Sequence, residues 1–514
     1  MGKFRYLFAA MAVFLAACSD DSKDASKAEA EKRTLTIARS ADMTTFDPQN
    51  SFNSPTDMVF ANMFSHLYMR DVDNATVPNL AESMEAVSDT LWRLKLKDGI
   101  KFHNGDPLTS EDVKFTFERV STDESLAVQP YYRAIKAVDV IDDRTFEIET
   151  DGPLPTLQAL MTFSGSWILP KKYIEEKGWE NFLKNPVGSG PYKFKQWIRD
   201  DRVVLEPFDD YFDGKVEAWD EVVFRAIPES STRVAELLTG GVDLALDIPP
   251  NEWGRIEGNE GTSLARRETS RVAVLIVRLT EGSVTADPKV REAIELAING
   301  DEIAESLYRG AATPTRTRIT PGVFGSQEKL HGQNLYDPER AKALLAEAGY
   351  PDGVELTLNA GRGRFLLDGE AAEMIAGMLR EAGFKVNLDL DEWSEFLNVY
   401  RSKSNKELLL IGLGDSLYDA SDSLLHYTYE RAKGQTDYRN EETHALFFAA
   451  GKNMNLDERR AQYQRIQDVV AEERPHIPVF QLKSVYGVSD KISFKPYLKE
   501  VVIAASIKPK EASK

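Results

Sequence analysis

The sequence predicts a mixed α/β protein of at least two lobes, and three observations carry that reading. The chain has 514 residues, far more than a single hydrophobic core organises, so a division into lobes is expected. Leu91-Trp92-Arg93-Leu94-Lys95-Leu96 alternates apolar residues with Arg93 and Lys95, the pattern of a half-buried strand with its basic side to water. Helix-start signals then interleave with such runs along the chain. Thr109-Ser110-Glu111-Asp112 reads as a capping box, and Asp337-Pro338-Glu339-Arg340 opens a second helix.

The elements follow in chain order. Lys3 and Arg5 precede an apolar run from Leu7 to Ala17, too short to cross a hydrocarbon core of roughly 30 Å as a helix. Basic start, short apolar run and small residues form a signal-peptide pattern over 1–17. Leu15-Ala16-Ala17-Cys18 resembles the lipobox of bacterial lipoproteins, where the cysteine becomes the acylated first residue. Cys18 is the sole cysteine, so no intrachain disulfide is available and the lobes are expected to be stable from burial alone. Residues 19–32 hold only Ser, Asp, Lys, Ala and Glu, the composition of a solvated tether. Leu35-Thr36-Ile37-Ala38 opens the folded part as a strand. After Asp337-Pro338, the residues Ala341, Leu344, Leu345 and Ala348 share one helical face, and Gly349 is the stop.

Forty-two per cent hydrophobic and 10% aromatic residues describe a globular chain. A net charge of −20 argues against nucleic acid, whose phosphates require Lys and Arg. The six histidines form no His-Glu-x-x-His helix, and with Cys18 lipidated no thiolate ligand remains, so neither a metal site nor a cofactor is expected. An envelope hydrolase is the rival from another class. Ser189 in Gly188-Ser189-Gly190 lacks the wider Gly-x-Ser-x-Gly frame of a nucleophile elbow, and no enzymatic role is expected.

Five separated segments carry a family resemblance. Lys95-Leu96-Lys97-Asp98-Gly99-Ile100-Lys101-Phe102-His103-Asn104-Gly105-Asp106-Pro107-Leu108-Thr109 resembles the signature of family 5 extracellular solute-binding proteins, the peptide, nickel and opine receptors of ABC importers. Pro186-Val187-Gly188-Ser189-Gly190-Pro191-Tyr192 is similar to the family's Gly-Pro-Tyr turn. Asp287-Pro288 through Ala293, with Ala297-Ile298-Asn299 and Gly310, matches a helix of its third domain. Glu392-Trp393 and Pro475-His476-Ile477-Pro478 also fit.

The resemblance implies a periplasmic-binding-protein type II-like α/β fold with two lobes, a hinge and three domains. Domain I would comprise 34–65, 188–270 and 484–507, domain II 66–187 and domain III 271–483, with two strand-like crossings as the hinge. Gly188, Gly190 and Pro191 read either as part of that hinge or as a plain turn requiring a tight or left-handed backbone. Asp287 and Pro288 read as a helix cap.

The same resemblance supplies ligand candidates. In dipeptide-binding members, an arginine before an Ala-Glu-Met-Ile helix holds the ligand's carboxylate, and an aspartate after a Gly-Trp-x-Gly strand end holds its ammonium. Here Arg362 precedes Ala372-Glu373-Met374-Ile375, and Asp415 follows Gly412-Leu413-Gly414. Arg364 is equally close and could take the role of Arg362. Asp415 could instead cap the next segment, or join Asp419 and Asp422 in a solvated acidic loop. Trp393 and Tyr418 are candidate pocket aromatics, with a core role open for Trp393. Leu413 stands where the family has tryptophan, which weakens the case for strict dipeptide specificity.

A zwitterion enclosed by two lobes needs a counter-charge at each end. The expected ligand is therefore a small peptide or peptide-like solute, with glutathione, opines or a nickel chelate as alternatives and His426 as the placed nickel candidate. The expected setting is the periplasm or cell envelope. A single copy, lipid-anchored to a membrane, would there serve an ABC permease of the inner membrane.

Overall fold

The computed structural model describes residues 32–51 and 53–510; the leader, Cys18 and almost all of the tether lie outside the described residues. The chain from Arg33 onward forms one compact unit. Its centre is an eleven-stranded sheet built around two long antiparallel strands, Thr262–Val277 and His476–Ser489. On one side the sheet continues through Leu244–Ala245, Thr34–Arg39 and Glu221–Ala226, with the first and last each paired parallel to Thr34–Arg39 between them. On the other, Leu408–Leu413 leads to Glu355–Arg362 and Lys385–Glu392, again parallel among themselves. Parallel strands on both flanks, covered by helices, account for their near-continuous apolar runs.

Each long strand serves two cores. Ala273, Leu275 and Val277 pack with Ile477 and Val479 in one, while Tyr486 and Val488 pack with Leu35, Ile37 and Phe224 in another. Between these halves the register slips from Glu268↔Lys483 to Val272↔Gln481. That irregularity holds Thr269, Ser270 and Arg271 out of the ladder, and such bulges redirect side chains.

A third core belongs to a separate four-stranded antiparallel sheet, Ala81–Ser88, Leu91–Leu96, Thr145–Thr150 and Ile135–Val140 in that spatial order. Leu91–Leu96 is a strand, as its alternation predicts, with Leu94 and Leu96 buried. The helix Ser110–Thr122 covers this sheet. Its capping box is formed, with Thr109 N–H donating to Asp112 Oδ2 at 2.8 Å. The helix Pro338–Glu347 likewise starts where expected, Arg340 N–H donating to Asp337 Oδ1 at 2.9 Å. Asp287 caps Pro288–Ala297 by accepting from Lys289 N–H at 2.8 Å.

Gly188 and Gly190 are needed for close approach, not for a left-handed backbone. A Cβ on Gly188 would stand 2.1 Å from Met63 O, and one on Gly190 2.6 Å from Met63 C. Gly190 N–H donates to Met63 O at 2.9 Å and His103 N–H to Gly188 O at 2.8 Å, which locks the turn against helix Ser54–Met63. Ser189 is fully buried there.

Among the described residues, no helix is long and apolar enough to cross a membrane. Nor does any group of three or more His, Cys, Asp or Glu among them stand ready to hold a metal ion.

Candidate functional site

The strand Leu408–Leu413 ends beside the slipped register of Thr262–Val277, and that junction fixes Asp415. Asp415 N–H donates to Ser270 Oγ at 3.2 Å, and the Ser270 hydroxyl reaches Asp415 O at 3.2 Å. The Asp415 carboxylate, 2% exposed, accepts from Asp419 N–H at 3.1 Å and from Ser423 Oγ at 2.9 Å. No ion pair to a described residue reaches it. Burial pushes its pKa well above the usual carboxylate range, and the carboxylates of Asp422 and Asp419 push the same way. A carboxylate held in this manner is a strong acceptor for any cationic group that enters.

The acidic loop is not solvated. Asp419 accepts two short hydrogen bonds from Arg459, at 2.6 and 2.7 Å, and caps the helix Ala420–Leu424 through Ser421 N–H. Asp422 accepts from Ser416 N–H at 2.8 Å, and its pKa is also raised by burial. Asp419 alone of the three thus has a structural cation, and of the other two Asp415 is the more deeply buried.

The arginines divide. Arg362 Nε donates to Glu392 Oε1 at 2.8 Å in a solvent-exposed pair. Arg364 sits 5.1 Å over the Phe365 ring, and Arg271 lies 5.2 Å from the same ring. Although Arg364 reaches solvent, enough of it is covered that burial, then the like charge of Arg271, lower its pKa; Asp247, Glu500 and Asp368 oppose this. Arg271 Nη2 stands 3.7 Å from Glu500 Oε2, and its Nη1 lies within contact distance of a Cβ built on Gly414. Two guanidiniums therefore converge beside the backbone that leads into Asp415.

The loop carrying Arg364 is held by one carboxylate. Asp368 accepts from the N–H groups of Gly363, Arg364 and Phe365 at 3.0, 3.0 and 2.8 Å. Trp393 supports the loop from below, edge-on to Phe365 at 5.4 Å and stacked on Phe396 at 5.4 Å. The apolar cavity among Tyr308, Phe365, Trp393 and Phe480 measures about 30 Å³, the space of one water molecule and no ligand chamber. Trp393 accordingly packs as a buttress. Tyr418 is buried with a left-handed φ of 54°, its hydroxyl 3.4 Å from Leu498 O and its ring facing the Arg70 guanidinium at 5.6 Å.

From the four-stranded-sheet half of the molecule, Tyr131 approaches the same carboxylates. Burial raises its pKa first, and the negative charges of Asp422 and Asp415 raise it further. Tyr131 packs on Phe163 at 4.8 Å. Two hydrogen bonds tie this half to the Asp415 side, Arg70 Nη2 to Leu417 O and Asn74 Nδ2 to Gly322 O, both at 2.8 Å.

Ser270, Arg271, Ser423 and Tyr131 escaped the sequence reading. The one available signal was the polar run Arg266-Arg267-Glu268-Thr269-Ser270-Arg271 ahead of the apolar Val272–Val277. Polar residues inside a central strand mark a bulge or a site. His426 lies 5.9 Å from His476, ring to ring; burial lowers both pKa values and keeps the rings neutral.

The family model for bacterial extracellular solute-binding proteins, family 5 (middle region), matches residues 75–435. The glutathione-binding protein GsiB of Salmonella typhi is 25% identical over 472 residues, covering 90% of this chain and 91% of that protein. HbpA2 from Haemophilus parasuis superposes with a TM-score of 0.83 at 21% identity, covering 93% of this chain and 100% of its own. The periplasmic binding protein DppA from Helicobacter pylori, solved with the peptide STSA, gives 0.73 at 24% identity, covering 93% and 99%.

Proposed function

The chain belongs to family 5 of the bacterial extracellular solute-binding proteins, and from that premise we propose that it captures a small peptide or peptide-like solute for an ABC permease in the inner membrane. The observation that carries the ligand class is the buried Asp415 carboxylate, hydrogen-bonded yet without an ion pair to a described residue, beside the Arg271–Arg364 pair. A zwitterion answers both needs. Its ammonium supplies the cation that Asp415 lacks, and its carboxylate can meet a guanidinium through two parallel hydrogen bonds. Binding then favours the closed arrangement, because the ligand bridges two halves that otherwise meet through few polar ties. In this reading domain II is the insertion at 66–187, domain III at 271–483 is the opposite lobe, and the lobes hinge on the two long strands. The protein acts as a binder and not as an enzyme.

A second reading, a glutathione-like ligand, is favoured by one feature. Two guanidiniums converge there, Arg364 without an ion pair to a described residue and Arg271 in a long 3.7 Å pair with Glu500, and glutathione carries two carboxylates. The named relative GsiB is a glutathione-binding protein. Lipid anchoring in the periplasm, through Cys18 and the 19–32 tether, rests on the Leu-Ala-Ala-Cys pattern alone.

A thermal-shift panel of dipeptides, tripeptides, longer peptides, glutathione and opines tests both readings. The true ligand at a hundredfold excess over its dissociation constant stabilises the fold by roughly 2.7 kcal/mol. No shift with any zwitterionic peptide would contradict the proposal.

A further inference from the structure

Between residues 70–76 on one side and residues 322–328 and 456–464 on the other lies a cavity of about 610 Å³. Small-molecule sites span roughly 300–1,000 Å³. Tyr418 and Asp419 line it as they line the Asp415 neighbourhood, but its guanidiniums are different ones. Arg70 lies 5.6 Å from the Tyr418 ring centre and Arg460 lies 4.6 Å from that of Phe324. Neither guanidinium forms an ion pair with a described residue. The N–H groups of Arg70 go to neutral oxygens, Thr162 Oγ1 at 3.3 Å, Asn74 O at 3.1 Å and Leu417 O at 2.8 Å. Asp71, Asp415 and Asp419 act on Arg70 only from beyond ion-pair range, and burial holds its pKa below the usual value. The third lining arginine, Arg459, is already neutralised by Asp419. Glu328 is a further acidic residue of the lining, and it forms no ion pair with a described residue.

Asn74 adds a second requirement. It is 3% exposed, its Nδ2 is spent on Gly322 O, and its buried Oδ1 has no partner among the described residues. Buried acceptors of this kind are normally satisfied. A guanidinium supported by an aromatic face and lacking a carboxylate is the arrangement that receives an acid from outside.

We infer that this cavity is a second binding site, adjoining the Asp415–Arg364 site through Tyr418 and Asp419 but built on other guanidiniums, for a small carboxylic acid that also carries a hydrogen-bond donor, the chemistry of a hydroxy acid. Its carboxylates meet Arg70 and Arg460, and its hydroxyl donates to Asn74 Oδ1.

Calorimetric titration of the protein with citrate tests this, alongside tricarballylate, the same tricarboxylate without the hydroxyl, and alongside the charge-reversed variant Arg460→Glu. Arg460 is exposed, so the variant is expected to fold, and its thermal unfolding midpoint checks that it has. Citrate binds saturably, and removing the hydroxyl or reversing the charge each weakens binding roughly tenfold or more. A saturating dipeptide leaves citrate binding in place. Absence of saturable citrate binding, equal affinity for tricarballylate or by Arg460→Glu, or displacement of citrate by the dipeptide would each overturn the assignment.

Discussion

At the scale of single residues the account turns on Asp415. A charge buried without a cationic partner is costly, and an entering ammonium recovers that cost. Asp415→Asn keeps the shape and removes the charge, and should weaken binding of a zwitterionic peptide by about 2–5 kcal/mol. Arg364→Ala should weaken it more than Arg362→Ala, because Arg362 is engaged with Glu392 in an exposed pair whose loss costs ~0–1 kcal/mol. Equal losses from the two arginine variants, read by calorimetry, would place the carboxylate elsewhere.

The raised pKa of Asp415 has two consequences of opposite sign. Its folded value stands above the unfolded one, so its contribution to stability without ligand is fully present below the unfolded value and is lost as pH rises through the folded one. Peptide binding needs the ionised form, so affinity rises with pH through that same range and falls on acidification. Binding at a pH below the folded value should therefore release protons, measurable as a dependence of the binding heat on buffer ionisation enthalpy. The residue and its neighbourhood differed in legibility. Asp415 is a candidate because the Gly412-Leu413-Gly414 strand end before it resembles the family's own, and that resemblance is carried by a local pattern. For Arg271 and Ser270 the polar run 266–271 signals only an irregular strand, because they reach the site through a register slip between strands more than 200 residues apart in sequence.

At the scale of elements, local physics was readable wherever it was local. The capping box at Thr109–Asp112, the Asp337 cap and the alternation at Leu91–Leu96 depend on residues within one turn or one strand. The Gly188-Ser189-Gly190 turn shows the opposite case. Its glycines are set by the backbone of Met63, which no local pattern reveals. Gly190→Ala would force a methyl group to 2.6 Å from that backbone. Overpacking against main chain costs about 1–3 kcal/mol or more, so the variant should unfold at lower denaturant with an unchanged slope. An unaltered midpoint would mean that the turn yields.

For the whole molecule, the two long strands join cores that the chain visits repeatedly, so their pairing could not be read from spacing. Few polar ties hold the Arg70–Asn74 side to the Leu417 and Gly322 side. Asn74 has a φ of 69°, so Asn74→Gly keeps the left-handed turn while deleting one tie. That variant should bind peptide several-fold more weakly through a smaller closed population, with small-angle scattering showing a larger ligand-free radius. If one buried carboxylate receives the ligand's ammonium, removing that charge from either partner must abolish the pairing. Calorimetry of the protein and of Asp415→Asn would be run with the best peptide from the panel and with its N-acetylated form, which lacks the charge. Acetylation is expected to abolish binding to the native protein, and Asp415→Asn is expected to bind both forms weakly and alike. Tight binding of the acetylated peptide by the native protein, or undiminished binding of the free peptide by Asp415→Asn, would contradict that pairing.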